Sequence, residues 1–216
     1  MKFDQHFLVD KSVAEFIVNS ASISEDETVL EIGPGKGALT QFLAKKTKHL
    51  TLIEKDAELG QYLKKFKANL ILGNALENLS QFDKLVSSLP YSICEPLLWK
   101  LIRLKFKLAV LLVPKKFYEK LVNIKQSKLS FLAQEFFNIE YLKDVNPSSF
   151  SPKPKIESCI IKLTFKQNNS MLRQIFLQYD KKLKNVLENI LTAKNLTKKQ
   201  ASSLMLSKIS KKMLNE

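Results

Sequence analysis

The chain has 216 residues, 45% hydrophobic and 26% charged, which is ordinary for a globular protein and long enough for one large domain plus a small one. No run of about 18 apolar residues occurs, and the start Met1-Lys2-Phe3-Asp4-Gln5 has no apolar signal core. Neither a membrane span nor a secretory leader is therefore expected, and the reading is a soluble cytoplasmic protein. The formal net charge of +14 argues against a cationic partner and for a polyanion, most often nucleic acid.

In chain order, the first apolar run, residues 28–32, reads as a strand that opens directly on the turn Gly33-Pro34-Gly35-Lys36-Gly37. An amphipathic helix is expected over 38–46, a strand over 50–54 ending in Glu54, and a second helix over 58–66. A short strand at 70–72 runs into Gly73-Asn74, and a strand at 84–87 runs into Ser88-Leu89-Pro90-Tyr91. Helix 96–104, strand 107–113, helix 115–123 and strand 139–145 follow. A loop from Pro147 to Lys155 carries three prolines and is expected to be rigid. The last strand is read over 158–165. Beyond Lys166 the polar break Gln167-Asn168-Asn169-Ser170 offers Ser170 as a helix N-cap, and only helical patterning follows. The domain reading is 1–166 for the sheet and 167–216 for a small basic helical domain.

Near-continuous apolar strands separated by helices predict an α/β fold with a mostly parallel sheet covered on both faces. In such a sheet a ligand lies beyond the carboxyl ends of the strands. That rule gathers the turn at 33–37, Glu54, Asn74 and the segment 88–91 on one rim. The charge is uneven as well: residues 167–216 carry ten Lys or Arg against three acids. A lysine bias spread over a whole proteome would not concentrate it there. Cys94 and Cys159 lie in apolar settings and are expected as reduced thiols. His6 and His49 are too far apart to suggest a metal site, and none is expected.

Glycines after a strand, Gly33 and Gly35 among them, let a cofactor lie against bare backbone. The turn is not a phosphate cradle, because Lys36 is followed by glycine rather than Ser or Thr. Glu31 precedes it, and Glu54 stands close to the spacing of about 20 residues at which a carboxylate accepts the hydroxyls of a ribose. Asn74 is either an acceptor for an adenine amino group or a turn-forming asparagine. In Ser88-Leu89-Pro90-Tyr91, a side-chain oxygen and a stiff X-Pro turn can hold an exocyclic amine in line with a methyl donor. Tyr91 offers a face for stacking a base. Such a turn is also an ordinary strand ending. Phe150, on the proline loop beside Lys153 and Lys155, is a core plug or the second jaw of a stacking clamp. Together these residues point to methyl transfer from S-adenosyl-L-methionine to a planar amine.

In this order the motifs resemble those of the KsgA-type ribosomal RNA adenine N6,N6-dimethyltransferases, a family related to the Erm methyltransferases and the mitochondrial transcription factor B proteins. The resemblance rests on Gln5-His6-Phe7-Leu8-Val9-Asp10, on the run from Val29 to Thr40, on Ile53-Glu54-Lys55-Asp56 and on Ser88-Leu89-Pro90-Tyr91-Ser92-Ile93. It continues through Pro147 to Ser158 and a helix-like stretch from Phe176 to Asn185, and so spans about residues 5 to 190. It implies a Rossmann-like S-adenosylmethionine-dependent methyltransferase sheet with a small C-terminal helical domain. It also implies cofactor contacts from His6, Leu8, Gly33, Gly35, Glu54, Asn74 and Ser88, and adenine stacking by Tyr91 and Phe150. The implied substrate is a pair of adjacent adenosines in a hairpin loop near the 3′ end of small-subunit rRNA, each dimethylated. The partner is rRNA within a small-subunit precursor, met by a monomer. The family usually carries Asp where this chain has Asn74, and Asn where it has Ser88. Loss of the charge at 74 is expected to weaken cofactor binding by about 1 kcal/mol. These departures keep two alternatives open: an RNA-binding assembly factor without turnover, and an Erm-like enzyme of large-subunit rRNA. The C-terminal region reads as shorter than the family's usual one. The pattern starts at Gln5, which leaves no room for a transit peptide.

Overall fold

A computed structural model describes residues 6–123 and 127–166. The expected helices beyond Lys166, and with them the proposed basic domain, lie outside the described residues. The chain divides into two compact units, Met1–Tyr118 with Asn138–Phe165, and Glu119–Phe137 with Lys166–Glu216.

The first unit is built on a seven-stranded sheet. In chain order its elements are β1 (Phe7–Leu8), α1 (Lys11–Ser20), β2 (Thr28–Ile32), α2 (Thr40–Leu43), β3 (His49–Glu54), α3 (Gly60–Leu63), β4 (Asn69–Leu72), β5 (Lys84–Ser88), α4 (Cys94–Leu101) and β6 (Leu108–Pro114). After α5 (Lys115–Val122) and α6 (Lys128–Phe136) come β7 (Phe137–Val145), β8 (Phe150–Ser151) and β9 (Ser158–Phe165). The strand order is β4-β3-β2-β5-β6-β9-β7. β2, β3, β4, β5 and β6 pair in parallel, and β9 returns antiparallel to β6. The mostly parallel α/β sheet read from the sequence is thus the observed one. The six residues 109–114 of β6 are all buried, as a strand covered on both faces must be. One face is filled by Leu50, Leu52, Val86, Val110, Leu112 and Ile160, packed with Val13, Ile17 and Val18 of α1.

Several boundaries moved for local reasons. The helix expected over 38–46 is one α-turn, because Phe42, Lys45 and Lys46 donate to carbonyls three residues back. The helix expected over 58–66 is a 3-10 turn, Ala57–Leu59, followed by α3. α4 starts two residues earlier than Pro96, which occupies the first turn, where a missing N–H costs nothing. Four elements were not expected. α1 is capped by Asp10, whose carboxylate accepts from the N–H groups of Ser12 (2.9 Å) and Val13 (3.2 Å). α6 starts with a serine-only capping box, Ser127 with Ser130, in place of the usual acidic partner. β1 and β8 form a two-stranded ribbon, pairing Phe7 with Ser151 and Leu8 with Phe150.

Within the described part of the second unit, the Gln134 side-chain amide donates to the Leu121 carbonyl (2.9 Å) and the Lys166 ammonium to the Gln134 carbonyl (2.5 Å). Both cysteines are buried and neither forms a disulfide with a described residue, and burial pushes the Cys94 thiol up to about 12, so it stays unreactive. Among the described residues no helix is long and apolar enough to cross a membrane.

Candidate active site

The parallel strands β2 to β5 end on one side, and a cleft there is lined by the polar residues that follow them. Gly33 (φ 63°) and Gly35 (φ 58°) both adopt the left-handed conformation that favours glycine. A Cβ on Gly33 would meet the Pro90 ring at 3.1 Å, and one on Gly35 the Phe7 ring at 3.0 Å. The first glycine therefore lets the 88–91 turn close on the glycine turn, and the second admits the β1 segment.

Glu54, 5% exposed at the end of β3, is held by backbone. Its Oε2 accepts from the Gly35 N–H (3.0 Å) and its Oε1 from the Asp56 N–H (2.9 Å). Each oxygen keeps a further lone pair, so the carboxylate can accept two vicinal hydroxyls at a fixed angle. Ile53, Leu59 and Ala75 supply apolar wall beside it. A carboxylate for a diol and an apolar slot for a ring are what a nucleoside needs, and this accepting carboxylate with its apolar wall fits the adenosyl half of S-adenosylmethionine. Glu31, 2% exposed, also lines the cleft and accepts from the Thr40 hydroxyl (2.7 Å). Burial pushes its carboxyl up to about 8 against the Thr40 hydrogen bond, with the Glu54 charge adding to the rise.

Asn74 turns out to serve the turn. Its Oδ1 accepts from the Leu76 N–H (3.0 Å) and its Nδ2 donates to Glu77 (2.7 Å). An aspartate here would set two carboxylates in contact, which accounts for the amide at this position. One lone pair of Oδ1 remains for an outside donor. Ser88 ends β5 and faces the cleft, and its hydroxyl makes no hydrogen bond to the other described residues. The next residue donates from the Leu89 N–H to Leu112 (3.1 Å), and the turn closes as Ile93 N–H donates to Pro90 (3.1 Å). Tyr91 lines the cleft half-buried, its hydroxyl 2.5 Å from the Ser158 hydroxyl and its ring 6.1 Å from that of His6.

The β1–β8 ribbon supplies the remaining wall. His6 Nδ1 lies 2.8 Å from the Pro152 carbonyl, so it carries the proton and donates. Val9 N–H donates to Ser149 (2.9 Å), and the Ser149 hydroxyl donates to Asp10 (3.1 Å). The chain start and the proline loop, far apart in sequence, are thereby one piece. Phe150 is 3% exposed, packs in the apolar cluster with Leu8, and still borders the cleft. The two sequence readings of Phe150, core plug and jaw, are not exclusive. All nine expected site residues, His6, Leu8, Gly33, Gly35, Glu54, Asn74, Ser88, Tyr91 and Phe150, line the same cleft. Glu77 and Ser158, which hold Asn74 and Tyr91, were not singled out. Glu77 follows Asn74 by three residues, the spacing of a capping box, whereas Ser158 left no local sign. Among the described residues no group of His, Cys, Asp or Glu is placed to hold a metal.

The sequence pattern of the family described as ribosomal RNA adenine dimethylase matches residues 1–215. A relative from Methanosarcina barkeri, named probable ribosomal RNA small subunit methyltransferase A, is 38% identical over 207 residues, covering 87% of this chain and 72% of its own. Another from Borreliella burgdorferi, named ribosomal RNA small subunit methyltransferase A, is 35% identical over 214 residues, covering 88% and 75%. A dimethyladenosine transferase from Plasmodium falciparum is similar in structure with a TM-score of 0.77 and 30% identity, covering 89% of this chain and 73% of its own. The 23S rRNA methyltransferase ErmE, at 19% identity and a TM-score of 0.70, covers 93% of this chain and 96% of its own and shares the fold.

Proposed function

The chain belongs to the ribosomal RNA adenine dimethylase family, and from that membership we propose that it dimethylates the 6-amino groups of two adjacent adenosines in a 3′-terminal hairpin loop of small-subunit rRNA. It is an S-adenosylmethionine-dependent rRNA methyltransferase. The relatives at 35–38% identity carry small-subunit names, which supports the small subunit over the large-subunit and assembly-factor alternatives. The substrate is read as a small-subunit precursor, met in the cytoplasm by a monomer.

The observation that carries this reading is the meeting of Glu54, Ser88, Tyr91 and Phe150 around one cleft. S-adenosylmethionine supplies a methyl group on a positively charged sulfur. In our reading Glu54 holds the ribose diol, the glycine turn lies under the cofactor, and Asn74 Oδ1 accepts from its adenine amine with the lone pair the turn leaves. Leu8 and His6 close the near wall. Ser88 and the carbonyls of the Leu89-Pro90 turn accept the hydrogens of the target amine, which localises its lone pair and aims it along the transfer axis. Tyr91 and Phe150 hold the target base drawn out of its stack. The product ammonium is acidic, so no strong general base is needed among these groups.

Small ribosomal subunits from cells lacking this chain, incubated with the protein and labelled S-adenosylmethionine, should gain label as N6,N6-dimethyladenosine by mass spectrometry. No incorporation, alongside a working control enzyme, would sink the reading.

A further inference from the structure

Tyr91 has to present its ring at one angle, yet it follows a turn and stands half exposed. What fixes the ring is its hydroxyl, 2.5 Å from Ser158 Oγ. Ser158 is 1% exposed and does not line the cleft, so it touches neither cofactor nor base. It is the first residue of β9 and pairs with Pro114 of β6, while Ser88 pairs with Leu112 of the same strand. The amine acceptor and the anchor of the ring are therefore set by two alternate residues of one buried strand. The start of β9 is itself tied down, because the Lys115 N–H donates to the Glu157 carbonyl (3.0 Å).

We propose that Ser158 is a positioning residue for the methyl transfer: its hydroxyl, bonded to the Tyr91 phenol, sets the ring angle at which the tyrosine meets the target adenine. This rests on the reading of Tyr91 as a stacking face. A ring anchored at its far end cannot swing about its two side-chain torsions, so the adenine amine arrives already aligned with Ser88. Loss of the anchor leaves the stacking surface in place and spreads its orientation. The effect then falls on turnover and not on cofactor binding.

The test is steady-state methylation of unmethylated small ribosomal subunits by Ser158→Ala, Tyr91→Phe, the double variant and Tyr91→Ala, with S-adenosylmethionine affinity measured by calorimetry. Ser158→Ala and Tyr91→Phe should each lower kcat about tenfold with cofactor Kd unchanged, and the double variant should be no worse than either alone. Tyr91→Phe removes the same bond from a half-exposed residue and carries the test should Ser158→Ala fail to fold. Turnover within about twofold of the parent for Tyr91→Phe, with Tyr91→Ala inactive, overturns the anchoring and leaves the stacking role standing. Losses that multiply in the double variant overturn it too, since Ser158 would then act apart from Tyr91. Retained turnover in Tyr91→Ala removes the stacking role and the anchor together.

Discussion

Glu27, just before β2, and Glu31, its next-to-last residue, stand four residues apart and are held in opposite ways. Glu27 lies at the rim where the parallel strands begin. Burial alone would raise its pKa, but hydrogen bonds from Lys84 (2.7 Å) and Lys107 (2.9 Å) and from the Ser24 N–H hold it at about 2. Lys107 also reaches Asp83 (3.2 Å), which accepts from Thr28, so Glu27, Lys84, Lys107 and Asp83 each have an opposite charge as partner. Glu31 lies at the rim where the strands end. Among the described residues it meets the Thr40 hydroxyl and no cation, and burial pushes it up to about 8. In the same cleft Glu54 and Asn74 are oriented by hydrogen bonds, and with Ser88 they keep acceptor lone pairs open. One rim closes its charges on themselves and contributes stability. The other leaves its acceptors unfilled, which fits a rim built to receive a ligand.

The comparison is broken most strongly by pH. A carboxyl whose folded pKa is raised binds more protons in the native state than in the unfolded chain. Glu31 therefore leaves stability untouched below about 4.5 and lowers it as pH rises from there to about 8. The full slope is about 1.4 kcal/mol per pH unit. Denaturant titrations across this window should show the fall, and Glu31→Gln should flatten it. An unchanged slope in the variant would mean another group carries it.

Next in size is Glu54→Ala. It removes a charged acceptor from two hydroxyls and leaves the Gly35 and Asp56 N–H groups without their partner. S-adenosylmethionine should bind about a hundredfold more weakly, or about 3 kcal/mol, by calorimetry. Lys84→Met acts at the other rim. Lys84 and Glu27 have 7% and 13% of their side chains exposed, and Lys107 remains to share the charge. The variant should lose about 2 kcal/mol of stability with turnover unchanged at permissive temperature. The sign for Glu27 is the reverse of that for Glu31. Its pKa is depressed, so its contribution is present above about 4.5 and is lost as pH falls toward about 2. Acid unfolding of Lys84→Met should be shallower in that window.

The ligand rim was readable from the chain and the charged rim was not. Gly33–Pro34–Gly35 after an apolar run, with Glu54 at the end of the next, is a pattern local to one strand-turn-helix-strand unit. Register then carries Asn74 and Ser88 to the same side. Lys84 by contrast reads as a lysine at the start of a strand, and nothing nearby announces that it is buried against Glu27, 57 residues earlier. The ribbon of Leu8 with Phe150 joins residues some 140 apart and has only two residues per strand, too few for any periodicity. α1 was legible in principle, since Asp10 caps an apolar 13-14-17-18 spacing. α6 is harder, because Phe136 and Phe137 run from helix to strand with no breaker between them.

Asn74 gives the smallest expected effect and the finest distinction between the rims. At the charged rim a carboxylate is met by lysine, whereas at the ligand rim the Glu77 carboxylate is met by the neutral Asn74 amide (2.7 Å). Asn74→Asp would restore the charge usual in the family but would face Glu77 with a like charge. The cofactor should then gain little or lose about 1 kcal/mol of binding, since the turn that aims residue 74 is disturbed. In the double variant Asn74→Asp/Glu77→Gln the amide and carboxylate exchange places, the pairing is restored, and affinity should rise above that of the parent by a few-fold. Calorimetry on the three proteins decides it. A gain in the single variant equal to that in the double would show that Glu77 does not constrain position 74.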